Sequence, residues 1–217
     1  FALGKLNTLE EIPGNPYTKN GRIWGANAGL DAKIGVSSNF TVDLTVNPDF
    51  GQVESDPSVM NLTAFETFYD EKRPFFLEGL TIFDYKFDEQ NLFYSRRIGH
   101  SPSRNISPLG NQYVDSPDMT KILSAAKFSG TTSDGLSVGL IQSVTANEFA
   151  RVTDELGNES KVKVEPLTNY LVGRIQKGYN AGNTMIGGMF TSTNRFIEDH
   201  ELEFLPDNAF TGGLDLL

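Results

Sequence analysis

The sequence predicts an all-β protein: an antiparallel transmembrane β-barrel, present here in part as about seven strands, with a long, partly helical loop subdomain inserted after the second. Three observations predict it. Apolar and polar residues alternate with period two over stretches of about nine or more residues, the length a tilted strand needs to cross a bilayer. The connections between these stretches alternate short and long. No run of about 18 apolar residues exists, so no helix spans, whereas barrel strands leave only a weak hydropathy signal.

The chain has 217 residues, 38% of them hydrophobic, and a formal net charge of −10. That acidic balance argues against a general nucleic-acid binder, which needs clustered Lys and Arg against phosphate. The absence of Cys excludes disulfides, thiolate metal sites and a Cys nucleophile. The chain starts at Phe1 without a Met, a basic n-region or an apolar h-region, and is read as a processed or partial piece.

Residues 1–21 carry Pro13, Gly14, Pro16 and Gly21 and read as a lead-in segment with at most a short strand. The barrel part then runs over 22–217. Its first strand, 22–35, places Trp24, Ala26, Ala28, Leu30, Ala32 and Ile34 on one face and Gly25, Asn27, Gly29, Asp31 and Lys33 on or near the other. After a turn at 36–39 the return strand, 39–47, sets Phe40, Val42, Leu44 and Val46 against Thr41, Asp43, Thr45 and Asn47. A soluble sandwich or lipocalin-like barrel with its apolar face inward gives the same alternation. Strand length favours membrane wall, and so do the small residues Ala26, Ala28 and Ala32, which suit a lipid face that need not interdigitate with a core.

The pattern repeats at 121–130 with 136–147 and at 167–178 with 183–194, around Asp/Asn/Gly/Ser turns of ordinary hairpin chemistry. A seventh strand starts near Phe210. Connections after strands one, three and five are about four or five residues; those after two, four and six cover 48–120, 148–166 and 195–209. Short turns at one rim and long loops at the other is the organisation of an outer-membrane barrel, which puts 48–118 outside the membrane or folded back into the lumen. Seven strands leave an open edge that lipid does not tolerate, so further chain, or less readily a partner, is expected to close the sheet.

Within the inserted segment, Asp56-Pro57 is a helix-start signal. Residues 57–70 place Val59, Leu62, Phe65 and Tyr69 on one helical face, and Pro74 is expected to end that helix. Phe75, Phe76, Phe83, Tyr85, Phe87, Phe93 and Tyr94 follow, too many aromatics for a loop in water. The segment is therefore expected to bury itself on barrel lumen, on its own side chains or on a partner. Asp49, Glu54, Asp56, Glu66, Glu71, Arg73, Glu78, Arg96 and Arg97 are the candidate residues of a ligand-binding or plug-holding network, because Arg forks pair geometrically with carboxylates. Plug-holding ion pairs are the first reading. Aromatics beside carboxylates would suit a sugar, and several carboxylates together would suit Ca²⁺, so a metal is left unassigned. A glycosidase-like carboxylate pair is the third option; no catalytic residue is assigned.

The stretches VNPDFGQVESDP, NLTAFETFYDEKRPFFLEG and LFYSRRIG resemble a family of Gram-negative outer-membrane barrel proteins in which the barrel domain follows a carbohydrate-binding-module family 9-like sandwich. The resemblance covers roughly 22–150 through these motifs and the rest by pattern. It implies the barrel fold and the bacterial outer membrane, and it assigns the motif residues no chemistry. The family's carbohydrate association belongs to the sandwich, and no stretch of these 217 residues is read as one.

His100 and His200, the only histidines, have neither HExxH spacing nor a neighbour one helical turn away, which argues against zinc. No GxSxG elbow is present. Residues 154–159 (DELGNE) lack calcium-loop spacing and read as an exposed acidic hairpin tip. The expectation is thus an outer-membrane binding or transport component for an extracellular ligand, carbohydrate being one candidate class, with a lumen-filling segment. The alternatives are a structural subunit of an envelope complex and a surface carbohydrate-active hydrolase. Expected partners are outer-membrane lipid, envelope proteins or an oligosaccharide; no cofactor is expected.

Overall fold

The computed structural model describes residues 1–8, 10–18, 21–48, 68–87, 90–180 and 183–216. The strands are β1 (Ala2–Thr8), β2 (Arg22–Ala28), β3 (Leu30–Gly35), β4 (Phe40–Val46), β5 (Lys86–Phe87), β6 (Gln90–Asn91), β7 (Tyr113–Asp115), β8 (Ile122–Thr131), β9 (Leu136–Thr145), β10 (Glu148–Thr153), β11 (Glu159–Glu165), β12 (Leu167–Tyr179), β13 (Thr184–Phe196) and β14 (Asn208–Leu216). The all-β antiparallel class is what the sequence leads one to expect.

The main sheet has seven strands in the order β3-β4-β8-β9-β12-β13-β14, an up-and-down meander in which every neighbour is antiparallel. Its edges are β3 and β14, and among the described residues it does not close into a barrel. The central strands are long, 10 residues in β8 and β9 and 13 in β12 and β13; β3 and β4 have 6 and 7. Short turns lie at one end of the meander. The long connections lie at the other, and two of them fold together: β7 from the β4–β8 connection and β10 and β11 from the β9–β12 connection form a three-stranded sheet. The DELGNE stretch is the tight β10–β11 turn, where the Asp154 carboxylate accepts the main-chain N–H of Leu156 and of Asn158. No described helix is long and apolar enough to cross a membrane.

Two expectations need correction. The single strand over 22–35 is broken at Gly29: β3 joins the main sheet, while β2 pairs with β1. A Cβ on Gly29 would lie 2.4 Å from the Asn47 carbonyl oxygen and 2.4 Å from the Phe1 ring, so only glycine lets these three segments meet. The second concerns Pro74. Residues 57–67 of the expected helix lie outside the described residues, and 68–70 are not helical. Pro74 does not end a helix but begins one, the single turn α1 (Pro74–Leu77), where its missing N–H costs nothing.

The two faces of the main sheet differ: one is uncovered and largely apolar, the other is covered and mixes charged and hydroxyl side chains with apolar ones. One register row reads Ile34, Val42, Phe128, Leu140, Gly173, Phe190 and Gly212, and it lies on the uncovered face. There Ile34, Leu140, Ile175 and Phe190 are 45–55% exposed, and Leu214 is 88% exposed. The next row reads Gly35, Thr41, Ser129, Gly139, Arg174, Met189 and Gly213 and belongs to the covered face. On that face Lys127, Ser143 and Thr145 are 1% exposed and Arg174 is 3% exposed. The cover is formed by residues 71–87 and 90–98. Phe76, Phe83, Tyr85 and Ile98 form a buried cluster with Ile122, Ala125, Ile141, Tyr170, Val172 and Met189 of the sheet.

Candidate functional site

The covering segment is closed on itself by one buried ion pair. Glu71 Oε1 accepts the main-chain N–H groups of Lys72 and Arg73 and, at 2.8 Å, Arg73 Nε; Oε2 accepts Arg73 Nη2 at 2.7 Å and Ser95 Oγ at 2.5 Å. The guanidinium also donates to the carbonyls of Ile98 (2.6 Å) and Ser95 (2.9 Å) and lies 4.3 Å from the Phe76 ring centre. Two side chains thus bind the outgoing limb at 71–76 to the returning limb at 95–98. Burial pushes the Glu71 carboxyl up, but the hydrogen bonds and charge of Arg73, with the Ser95 hydroxyl, outweigh it and hold the group below the ordinary Glu range. A hydrolase acid needs a carboxyl held protonated near neutrality; the environment of Glu71 does the opposite.

Between these limbs, residues 74–85 cross the sheet as a strap. Lys127, centred on β8, donates to the carbonyls of Phe75 (2.6 Å) and Glu78 (2.8 Å), which end α1, and its ammonium sits 3.3 Å from Asp43 on β4. A cation on the last carbonyls of a helical turn satisfies acceptors that the turn cannot bond itself. Glu78 also pairs with Lys33 of β3. Gly79, at φ +70°, turns the chain beside Ser129. Phe83 then lies directly on Gly139 of β9, where a Cβ would come within 2.6 Å of its ring. Tyr85 lies over Arg174 of β12, 5.0 Å from guanidinium to ring centre, with its hydroxyl on the Leu214 carbonyl at 3.0 Å. A Cβ on Gly213 would be 2.4 Å from that hydroxyl. Arg174 in turn makes a two-pronged pair with Asp215 of β14, 2.6 Å on each arm.

The returning limb is tied to the long connections that precede β12 and β14. Glu165, 1% exposed at the end of β11, accepts the Ser103 N–H at 2.6 Å and faces His100 at 3.7 Å. Arg104 pairs with Glu201.

Of the residues singled out from the sequence, Glu71 and Arg73 come together as the closing pair and Glu78 lies on the wall contact with Lys33. Arg96 donates to the Asp70 carbonyl at 2.7 Å and lies near the Tyr69 ring, within the covering segment but away from the wall. Arg97 is exposed, in the turn Ser95–Arg97. Asp49, Glu54, Asp56 and Glu66 lie outside the described residues. No group of three or more His, Asp or Glu suited to a metal ion occurs among the described residues.

The wall residues were the ones missed: Asp43, Lys127, Arg174, Asp215 and the socket glycines Gly139 and Gly213. A signal for the charges was available. Each is a lone charge between apolar or small neighbours (Val42-Asp43-Leu44, Ala126-Lys127-Phe128, Gly173-Arg174-Ile175, Leu214-Asp215-Leu216), at the parity opposite to the apolar residues.

The model of a family described as a domain of unknown function (DUF5916) matches residues 15–200. No curated protein matches, and no solved structure does.

Proposed function

The chain belongs to the DUF5916 family, and from its own geometry we propose that it is part of a bacterial outer-membrane β-barrel serving as a binding or transport component for an extracellular ligand. In this reading residues 71–98 fill the lumen, the uncovered face meets lipid, and the long connections lie outside. The observation that carries it is the inversion of the main sheet: leucine, isoleucine and phenylalanine outward, lysine, arginine and aspartate inward. Water reverses the preference at both faces. Exposed apolar area forfeits about 25 cal/mol per Å², whereas a Lys or Arg facing lipid at mid-bilayer costs about 2–4 kcal/mol. Lipid outside and a polar, filled lumen inside suit both faces at once. Strands of 10–13 residues in β8, β9, β12 and β13 are long enough to cross at a tilt.

Ligand class follows from what the segment offers an incoming solute. Aromatic faces beside carboxylates and guanidinium groups suit the apolar faces and hydroxyls of a carbohydrate.

The reading is tested by solute flux through the full-length protein in liposomes. Flux of small uncharged oligosaccharides is expected to be low with the native segment. Phe75→Ala combined with Phe83→Ala, which shrink the filling without cutting the chain, should raise it. Equal flux in both proteins counts against a lumen-filling segment.

A second reading, a structural subunit of an envelope complex, rests on the exposed apolar residues of the long connections, among them Leu109, Leu156 and Phe204. It predicts a stoichiometric partner that is lost when these three are changed to Ser.

A further inference from the structure

Three of the six strand pairings in the main sheet are closed by short turns: β3–β4 at 36–39, β8–β9 at 132–135 and β12–β13 at 180–183. In such hairpins the turn itself fixes the register. The pairings β4–β8, β9–β12 and β13–β14 are joined instead through 47–121, 146–166 and 197–207, and connections of that length leave the register free. The outer face does not supply it. Leu140 stands opposite Gly173, and a slip of two residues would bring Leu171 or Ile175 there, apolar for apolar.

The inner face does discriminate, and it does so through the strap. Across β4–β8, Lys127 of β8 binds Asp43 of β4 together with the Phe75 and Glu78 carbonyls, and Glu78 reaches Lys33 beyond. Across β9–β12, Phe83 needs the bare Cα of Gly139 while Tyr85 stacks on Arg174, directly opposite it. Across β13–β14, Tyr85 needs the bare Cα of Gly213 and the Leu214 carbonyl, and Arg174 reaches over β13 to Asp215. Gly139, Arg174 and Gly213 belong to one row. A two-residue slip between β9 and β12 would set Arg174 against Ile141 or Ser137 and separate the two ring seats.

We infer that residues 74–85 act as an intramolecular register key: by seating on Lys127, Gly139, Arg174 and Gly213 they select the native register of the three pairings that no short turn fixes. This assembly role goes beyond filling a lumen. It also holds whether or not the sheet lies in lipid.

Because the chain has no Cys, pairs of introduced cysteines report register directly. A disulfide requires Cα atoms about 4.4–6.8 Å apart; opposed residues of antiparallel strands lie about 4.5–5.5 Å apart, and diagonal ones lie beyond reach. In the full-length protein, in whichever detergent or lipid keeps it folded, Leu140→Cys with Gly173→Cys reads the native β9–β12 register. Leu140→Cys with Ile175→Cys reads the slipped one. Phe128→Cys with Leu140→Cys reads the short-turn pairing β8–β9. With the strap seated, the first and third links form and the second does not. In the Lys127→Met, Phe83→Ala, Tyr85→Ala background the native β9–β12 link should fall severalfold and the slipped link should rise, while the β8–β9 link persists. The inference is overturned if the native link is undiminished or if it falls without a slipped link replacing it. It is also overturned if the β8–β9 link is lost with the others, since the key acts only where no short turn does.

Discussion

The ammonium of Lys127 and the main-chain carbonyl of Phe75, 52 residues apart in the chain, are joined by a 2.6 Å hydrogen bond in the buried space between sheet and strap. Asp43 completes the site at 3.3 Å. A buried cation is tolerated because every side of it is answered: a carboxylate below and two carbonyls above.

Lys127→Met is therefore expected to destabilise the protein by at most about 3–5 kcal/mol, mainly by leaving the buried Asp43 with only the more distant Lys33, at 4.0 Å. The double variant Lys127→Met, Asp43→Leu should recover part of that loss, because no orphaned charge remains. Urea midpoints of the two variants and the native protein measure both. Additive losses would mean that the pair does not act as a unit.

The closing pair gives a pH signature. The Glu71 carboxyl titrates below its ordinary value of 4.5. A depressed folded-state pKa contributes stability that is fully present above the unfolded value and is lost as pH falls through the folded one. Unfolding midpoints should thus decline as pH drops below 4.5, and Glu71→Gln should be less stable at pH 7 yet show a flatter acid limb. An acid limb of the same steepness in Glu71→Gln would assign the effect to other carboxylates.

Gly139 tests the ring seats without touching a charge. Gly139→Val places a branched side chain where even a Cβ would stand 2.6 Å from Phe83. Overpacking of this kind costs about 1–3 kcal/mol, read as a lowered melting temperature. Phe83→Ala in the same chain should relieve part of the clash, Ile82 at 2.8 Å keeping the rest, so that the double variant loses less than the two single losses summed. Gly173→Val, on the uncovered face with Leu140 no nearer than 3.9 Å, is the matched control and should be close to neutral.

Much of the sheet is legible from residue parity. Val42, Leu44 and Val46 against Thr41, Asp43 and Thr45 announce a strand with two unlike faces, and the short turns at 36–39 and 132–135 announce the hairpins. Parity cannot say which face is covered. That depends on the strap, whose contacts reach from Phe75 to Lys127 and from Tyr85 to Leu214, far beyond any local signal. Glu71 and Arg73 stood out because both halves of the pair lie two residues apart in a charged, aromatic stretch. Lys127 and Arg174 did not, because a single charge in an apolar strand has no partner within the strand. The break at Gly29 is hidden for a related reason: its cause is the Asn47 carbonyl and the Phe1 ring, which only the fold brings there. Pro74 is ambiguous in the sequence because the same residue stops a helix that precedes it and starts one that follows.

The most direct test of the central claim is a cysteine scan of residues 171–176 along β12 in the full-length protein, with any cysteine outside these 217 residues replaced by Ser, reconstituted in lipid vesicles with a nitroxide on each introduced cysteine. The collision rate with a lipid-soluble relaxant should alternate with period two, high at Leu171→Cys, Gly173→Cys and Ile175→Cys and low at Val172→Cys, Arg174→Cys and Gln176→Cys, while a water-soluble relaxant stays excluded from the first three. If the water-soluble relaxant reaches 171, 173 and 175 freely, or if the alternation is absent, the apolar face does not meet lipid and the barrel reading is contradicted.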